Sequence, residues 1–447
     1  MKRGDCVFDT SGKAQTIEGF GVSGAWWSQA IGGWTDAKRK QIIDLLFDQD
    51  VGIGLSIYRY NIGAGSGEEI SDSWRRTESF EVEKDVYDWN RDEYATRVLR
   101  EIHQKGVKNF VAFANSPTAR MTKSGLVTGE KNGKSNLKED MYEDFATYLV
   151  DVINHLIEDE GIPITYVSPI NEPQWDWQRE KGQEGCHYTP EECVKLLKIL
   201  QNKIELQSVK DVQISAIEAG EWKTAKTYID AIFTDKELMT ALTNFDVHSY
   251  WSDAEDKMNI ANYMEKNYPS IELNMSEWTE MKQKRDYGMD SALVLANTIH
   301  DDLTVANVSS WQYWIAVSKY DFRDGLIYTN DGTEDIEETK RLWVMGNYSK
   351  FIRPGAKQIN LAEAQDSLKA SLFYDENTNQ YICVVINNDR TNRSVALKSD
   401  LSHDFNYLQV FETSENNNLS KVYQGEISES FDVERESVTT FILKAIP

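Results

Sequence analysis

Two glutamates in this sequence occupy matching settings. "YVSPINEP" runs through apolar residues to Asn171 and Glu172 and is stopped by Pro173, while "IELNMSEW" ends on Glu277 followed by Trp278. Two facing carboxyl groups can divide proton-transfer work, one staying protonated to donate and the other ionised to attack or to activate water. Glycosidic bond cleavage requires such a pair, because the leaving oxygen needs a proton while the anomeric carbon needs a nucleophile or an activated water. Trp175 and Trp177, just after Glu172, would supply an apolar setting that drives two carboxyl pKa values apart. Taken singly, either glutamate also reads as a strand-end acid paired with an arginine. The matched contexts favour chemistry.

These glutamates are 105 residues apart, so a fold must bring them together. From residue 16 onward, "TIEGFGV", "LSIYRYNIG", "KNFVAFANS", "ITYVSPINEP", "DVQISAI", "FDVHSYW", "IELNMSEW" and "VSSWQYWIA" each precede a helical pattern. Thr35-Asp36 signals one helix start, Gly106 a helix end, and Thr189-Pro190 with Glu192 a capping box. A parallel sheet needs a crossover helix after each strand, and eight such units predict an α/β fold, a (β/α)8 TIM barrel over residues 16–350. A doubly wound open sheet is the competing fold. After Pro354, short β-rich runs separated by Asn, Asp and Gly predict an antiparallel β-sandwich side domain over 351–447, with residues 1–15 pairing into it.

In a barrel, functional side chains stand where strands end at the C-terminal face. Glu172 and Glu277 then lie on strands four and seven and face each other across the mouth. Arg59 on strand two is placed to hold a carboxylate ionised, and His248 and Tyr250 on strand six to donate hydrogen bonds. Trp26, Trp27, Trp175, Trp177, Trp311 and Trp314 cluster at strand ends and are read as flat apolar faces of a carbohydrate groove; Trp343, inside a helix, is read as core. The glycines of "NIGAGSGEE" precede no convincing helix, and they are read as a flexible rim rather than a phosphate cradle.

Composition narrows the partners. Lys and Arg total 48 against 73 Asp and Glu, a formal charge of −25 that repels nucleic acid and anionic lipid. Apolar runs are too short to span a membrane and the amino terminus carries no apolar export signal. Cys6, Cys186, Cys193 and Cys383 form no C-x-x-C pair, so free thiols are expected and no metal site or cofactor. A monomer acting on an oligo- or polysaccharide is expected. Such a substrate favours secretion or the cell surface, with a cytoplasmic enzyme for imported oligosaccharides as the minor reading.

The motifs "EGFGVSGAWW", "YVSPINEP", "FDVHSYW", "ELNMSEW" and "WQYW" together resemble the family 30 glycoside hydrolases, retaining barrel enzymes with acid and nucleophile on strands four and seven. The resemblance spans nearly the whole chain. It implies Glu172 as general acid/base and Glu277 as nucleophile, with Asn171 on the sugar 2-hydroxyl, Arg59 and Tyr250 on the nucleophile, and Trp314 flooring the sugar. Many members carry Trp after the Ser-Pro of strand three, where this chain has Ala119, so one wall of the sugar site is altered. "NEPQWDW" followed by "GQEGCHYTPEE" is similar to the endo-β-1,6-galactanase subfamily, which implies β-1,6-galactan as substrate. β-1,6-Glucan or xylan is the alternative within the fold, and a non-catalytic carbohydrate-binding barrel the alternative outside enzymes. Retention implies carboxyl groups about 5–5.5 Å apart.

Overall fold

The computed structural model of the chain describes residues 3–8, 15–178, 180, 182–359, 361–362, 368–399, 405–427 and 430–445. Strands β1 (Gly19–Ser23), β2 (Ile57–Ile62), β3 (Asn109–Ala114) and β4 (Ile164–Ser168) pair in parallel in chain order. β5 is split into Gln213–Ile214, which pairs with β4, and Glu218–Ala219, which pairs with β6 (Asn244–His248). β7 (Glu272–Glu277) and β8 (Ser310–Tyr313) carry the sheet round to β1. Across the break in β5, the Ser215 N–H donates to the Val167 carbonyl at 3.0 Å and the Glu172 N–H to the Glu218 carbonyl at 2.7 Å, so the ring is closed as an eight-stranded barrel.

Crossover helices follow every strand, among them Asp36–Phe47, Glu93–Gln104, Tyr142–Glu158, Pro190–Leu206, Trp222–Thr234, Ala254–Asn267, Met289–Thr304 and Lys340–Ser349. Strands covered by helices outside and side chains inside have no polar face, and every residue of β1 and β2 is buried. The Thr189 hydroxyl accepts from the Glu192 N–H while the Glu192 carboxylate accepts from the Thr189 N–H, a reciprocal capping box. Thr35 behaves differently: its hydroxyl donates to Glu334, in the segment that follows the neighbouring β8, instead of capping its own helix.

Two local expectations change. The run "VSSWQYWIA" is two strands, because β8 ends at Tyr313 and Ile315–Ser318 joins a separate sheet with Gly325–Tyr328 and Glu337–Glu338. Trp314 sits at the break, its N–H bonded to the Trp278 carbonyl. The glycine loop, read as a flexible rim, is tied down: the carboxylate of buried Glu184 accepts from the Ala64 N–H and from the Thr77 hydroxyl.

Beyond the barrel, Lys357–Ile359, Leu368–Asp375, Gln380–Asn387, Ser437–Ala445, Phe405–Thr413 and Ser420–Gly425 form a six-stranded antiparallel sheet in that spatial order. A second sheet holds Leu361–Ala362, Arg393–Ser399, Phe431–Val433 and the amino-terminal strand Arg3–Phe8, which lies parallel to 393–399. Alternation along 380–387 divides the labour: Ile382, Val384 and Ile386 join the barrel's core, and Tyr381, Cys383 and Val385 join the core between the two sheets. Cys186 and Cys193 are buried free thiols and Cys383 is buried in the side-domain core; the side chain of Cys6 lies outside what the structure describes.

Asn347, buried on the last barrel helix, is one of several polar ties between the two parts, beside Lys340 to the Asn417 carbonyl, Asn297 to Asn388 and Lys369 to Asp301. The Asn347 side chain donates to Thr440 Oγ1 at 3.0 Å and accepts from Thr413 Oγ1 at 2.7 Å. Asn347→Ala removes both side-chain bonds, leaving the buried Thr413 hydroxyl without its acceptor while Thr440 keeps the residue-347 carbonyl, and is expected to lower stability by about 1–3 kcal/mol, read by urea unfolding, with kcat unchanged because the residue is remote from the barrel mouth.

Candidate active site

The ends of β4, β5 and β7 converge on one guanidinium, and β6 adds two side chains that bind the same carboxylates. Arg59, fully buried on β2 with its guanidinium 3.5 Å from the centroid of Phe113, donates to Glu277 Oε2 at 2.8 Å and to Asn171 Oδ1 at 3.0 Å. It also meets both oxygens of Glu218, at 3.2 and 2.8 Å. Tyr250 Oη donates to Glu277 Oε1 at 3.0 Å. His248 places Nδ1 3.1 Å from Glu172 Oε1 and 3.6 Å from Glu277 Oε1, and Nε2 3.2 Å from Glu218 Oε2. An oxygen of Glu172 and one of Glu277 lie within 4.8 Å of each other. That spacing is shorter than the roughly 6.5–9.5 Å at which an inverting site holds its carboxyl groups apart.

Glu172 itself is held in a left-handed backbone conformation, φ 46°. A non-glycine residue stays there only when its surroundings fix it. Here its N–H goes to Glu218, and its carbonyl accepts from the Trp175 N–H at 3.2 Å and from Trp177 Nε1 at 3.0 Å. Gly220 stands close by because a Cβ there would fall 3.0 Å from Glu172 Oε1 and 2.2 Å from Gln174 Nε2.

Electrostatics follow from this packing. Burial opposes charge on Glu218, but Arg59 and His248 outweigh it and bring the carboxyl down to about 2. Burial also opposes an imidazolium, yet Glu277, Glu172 and Glu218 raise His248 to about 10. Burial raises Glu277 above the ordinary carboxyl value, and attraction to His248 and Arg59 offsets only part of that. Two cations thus face three carboxyl groups, and the buried cluster is neutral when the three hold one proton among them. Glu172, His248 and Glu277 are also close enough together to suggest a cation site. With both ring nitrogens facing carboxylate oxygens, His248 is held toward the imidazolium form, whose nitrogens offer no lone pair to a metal.

The cleft above the pair, about 390 Å³, is lined by Trp26, Arg75, Asn115, Asn171, Glu172, Tyr250, Trp251, Glu277 and Trp314, among others. Trp26 meets Trp314 edge to face at 5.0 Å, and Arg75 lies 4.4 Å from the Trp26 ring. Four of the six tryptophans expected in the groove are elsewhere. Trp27 and Trp311 have no exposed surface, their indole N–H groups donating to the Ser23 carbonyl and to Asp302. Each sits on the core-facing side of its element, so neither presents a face to a sugar. Trp177 is buried too, acting on the backbone of Glu172 as described. Trp175 does not line the cleft either, because its ring packs half-buried behind Trp251, at 5.4 Å; nor does Ala119. Sequence reasoning missed Glu218, Asn115 and Trp251. The run "AIEAGEW", which holds the second segment of β5, carried the signal for Glu218, a third acid at a strand end.

The cluster makes stability pH-dependent in both directions. The folded-state pKa of Glu218 is depressed, so its contribution is full above about 4.5 and is lost as pH falls toward 2. That of His248 is raised, so its contribution is full below about 6.5 and is lost as pH rises through 10. Thermal unfolding followed across pH is expected to show Tm highest between about pH 4.5 and 6.5, with His248→Gln flattening the alkaline decline.

Known proteins share this architecture. An endo-β-1,6-galactanase of Hypocrea rufa is 23% identical over 413 residues, 85% of this chain and 80% of the relative. The crystal structure of a conserved exported protein from Bacteroides fragilis superposes with a TM-score of 0.87 at 28% identity, covering 98% of this chain and 99% of that one. The catalytic domain of a GH30 xylanase C from Talaromyces cellulolyticus superposes with a TM-score of 0.80 at 20% identity, covering 98% and 100%, a likeness of fold. The sequence pattern of O-Glycosyl hydrolase family 30 matches residues 4–328, and the chain belongs to that family.

Proposed function

We propose that the chain is a retaining glycoside hydrolase acting on β-1,6-linked galactan by double displacement, with Glu172 as acid/base and Glu277 as nucleophile. The observation that carries this reading is the carboxyl pair, oxygens within 4.8 Å, with Glu277 gripped by Arg59 and Tyr250 and Glu172 beside His248. In the first step Glu277 attacks the anomeric carbon and the bond to the leaving oxygen breaks as Glu172 gives that oxygen its proton. In the second, Glu172 takes a proton from water as the water displaces Glu277, restoring both groups and the original anomeric configuration. Asn171 is assigned to the sugar 2-hydroxyl and Trp314 to the floor of the bound sugar.

Galactan as the substrate is supported by the similarity to the Hypocrea rufa endo-β-1,6-galactanase. Xylan is kept as the second sugar because a GH30 xylanase shares the fold. No helix among the described residues is long and apolar enough to cross a membrane. We place the enzyme, as a monomer, outside the cell or at its surface, where a polymer of this kind is met.

Glu172→Gln and Glu277→Gln are each expected to lower kcat by at least about 10³-fold with folding intact by circular dichroism. A non-catalytic binding barrel predicts no loss of function from either change. Incubation with de-arabinosylated arabinogalactan, β-1,6-glucan and xylan, followed by product sizing, is expected to show cleavage of the first alone. A ladder of oligomers marks internal cleavage and galactobiose alone exo-action, and early products are β-anomers by NMR.

A further inference from the structure

The chain has thirteen tryptophans, and twelve are buried or half-buried. The exception is Trp251, 57% exposed, directly after Tyr250 on the rim of the cleft. Its indole rests against Tyr250 and Trp175 and leaves the rest of its surface open beside the carboxylate pair. Its backbone is also left-handed, φ 47°, a costly setting for a bulky residue. Neighbours impose it: Ser252 Oγ donates to the Tyr250 carbonyl at 2.9 Å and accepts from the Trp222 N–H at 3.0 Å, while Tyr250 is anchored to Glu277.

Position round the ring says what the indole faces. The cleft has two aromatic groups. Trp26 and Trp314 follow β1 and β8, whereas Trp251 follows β6 and packs edge to face, at 85°, on Trp175 of the Glu172 loop. The second group is therefore on the side of the residue that protonates the leaving oxygen. Exposed Met281 adds a further apolar contact on the same rim. Trp251 also borders a separate depression of about 680 Å³ between the helices Ala254–Asn267 and Met289–Thr304.

We propose that Trp251 is the stacking platform for the sugar on the leaving-group side of the scissile bond, and so a specificity residue for glycoside-linked leaving groups. This rests on the hydrolase reading above. Pyranose C–H faces stack on an indole, whereas a leaving group without a ring gains nothing from it.

The test compares a β-1,6-linked galactotetraose, whose leaving group is a sugar, with β-1,6-galactobiosyl fluoride, whose leaving group is fluoride. Trp251→Gly keeps the left-handed backbone without strain and opens no core cavity. It is expected to lose about 10- to 100-fold in kcat/KM on the tetraose and less than about 3-fold on the fluoride, with Trp251→Phe recovering most of the loss. Equal losses on both substrates, or no loss on either, overturn the platform. A wild-type enzyme inert on both overturns the galactan reading and the platform with it.

Discussion

The arrangement of the barrel mouth depends on one buried cation. Arg59 has no exposed surface and spends its donors on Glu218, Glu277 and Asn171, residues carried by β5, β7 and the end of β4. Removing a guanidinium and its carboxylate partners from water costs several kcal/mol per ion, so they persist in the interior only when geometry satisfies every partner. A closed ring of parallel strands meets that condition, because it points the ends of several strands at a common centre. The ion cluster in turn ties those ends together. Glu218 is the hinge between backbone and charge: its carbonyl takes the Glu172 N–H, and its carboxylate is shared by Arg59, His248 and Ser168.

The tryptophans show how one residue type serves three purposes in one site. Trp27 and Trp311 fill core space and satisfy their N–H groups internally. Trp177 reaches the carbonyl of Glu172 and holds a strained backbone in place. Trp26, Trp314 and Trp251 alone line the space a substrate would enter. The motif "QWDW" thus acts mainly through the conformation of Glu172, with Trp177 as clamp and Trp175 as the surface on which Trp251 rests. The side domain contributes from a distance. Its six-stranded sheet gives one face to the barrel helices and keeps the other for its own core, and Asn347 helps close the seam with two hydroxyl partners.

The sequence by itself determined the periodic part of this protein. Eight strand-helix alternations, a change to β-rich runs after Pro354, and the placement of Glu172 and Glu277 at the ends of the fourth and seventh strands all follow from local pattern, because strand and helix each have a fixed repeat and proline stops a strand. Tertiary structure alone decided which side chains share space. Glu218 joined the cluster because β5 breaks and re-pairs with β6, an irregularity that no repeat announces. Trp27 and Trp311 turned to the core while Trp251 turned to solvent, since adjacent positions at a strand end differ only in the direction imposed by the following turn. Strand periodicity records how far a residue lies along the barrel; only the closed ring fixes what it faces.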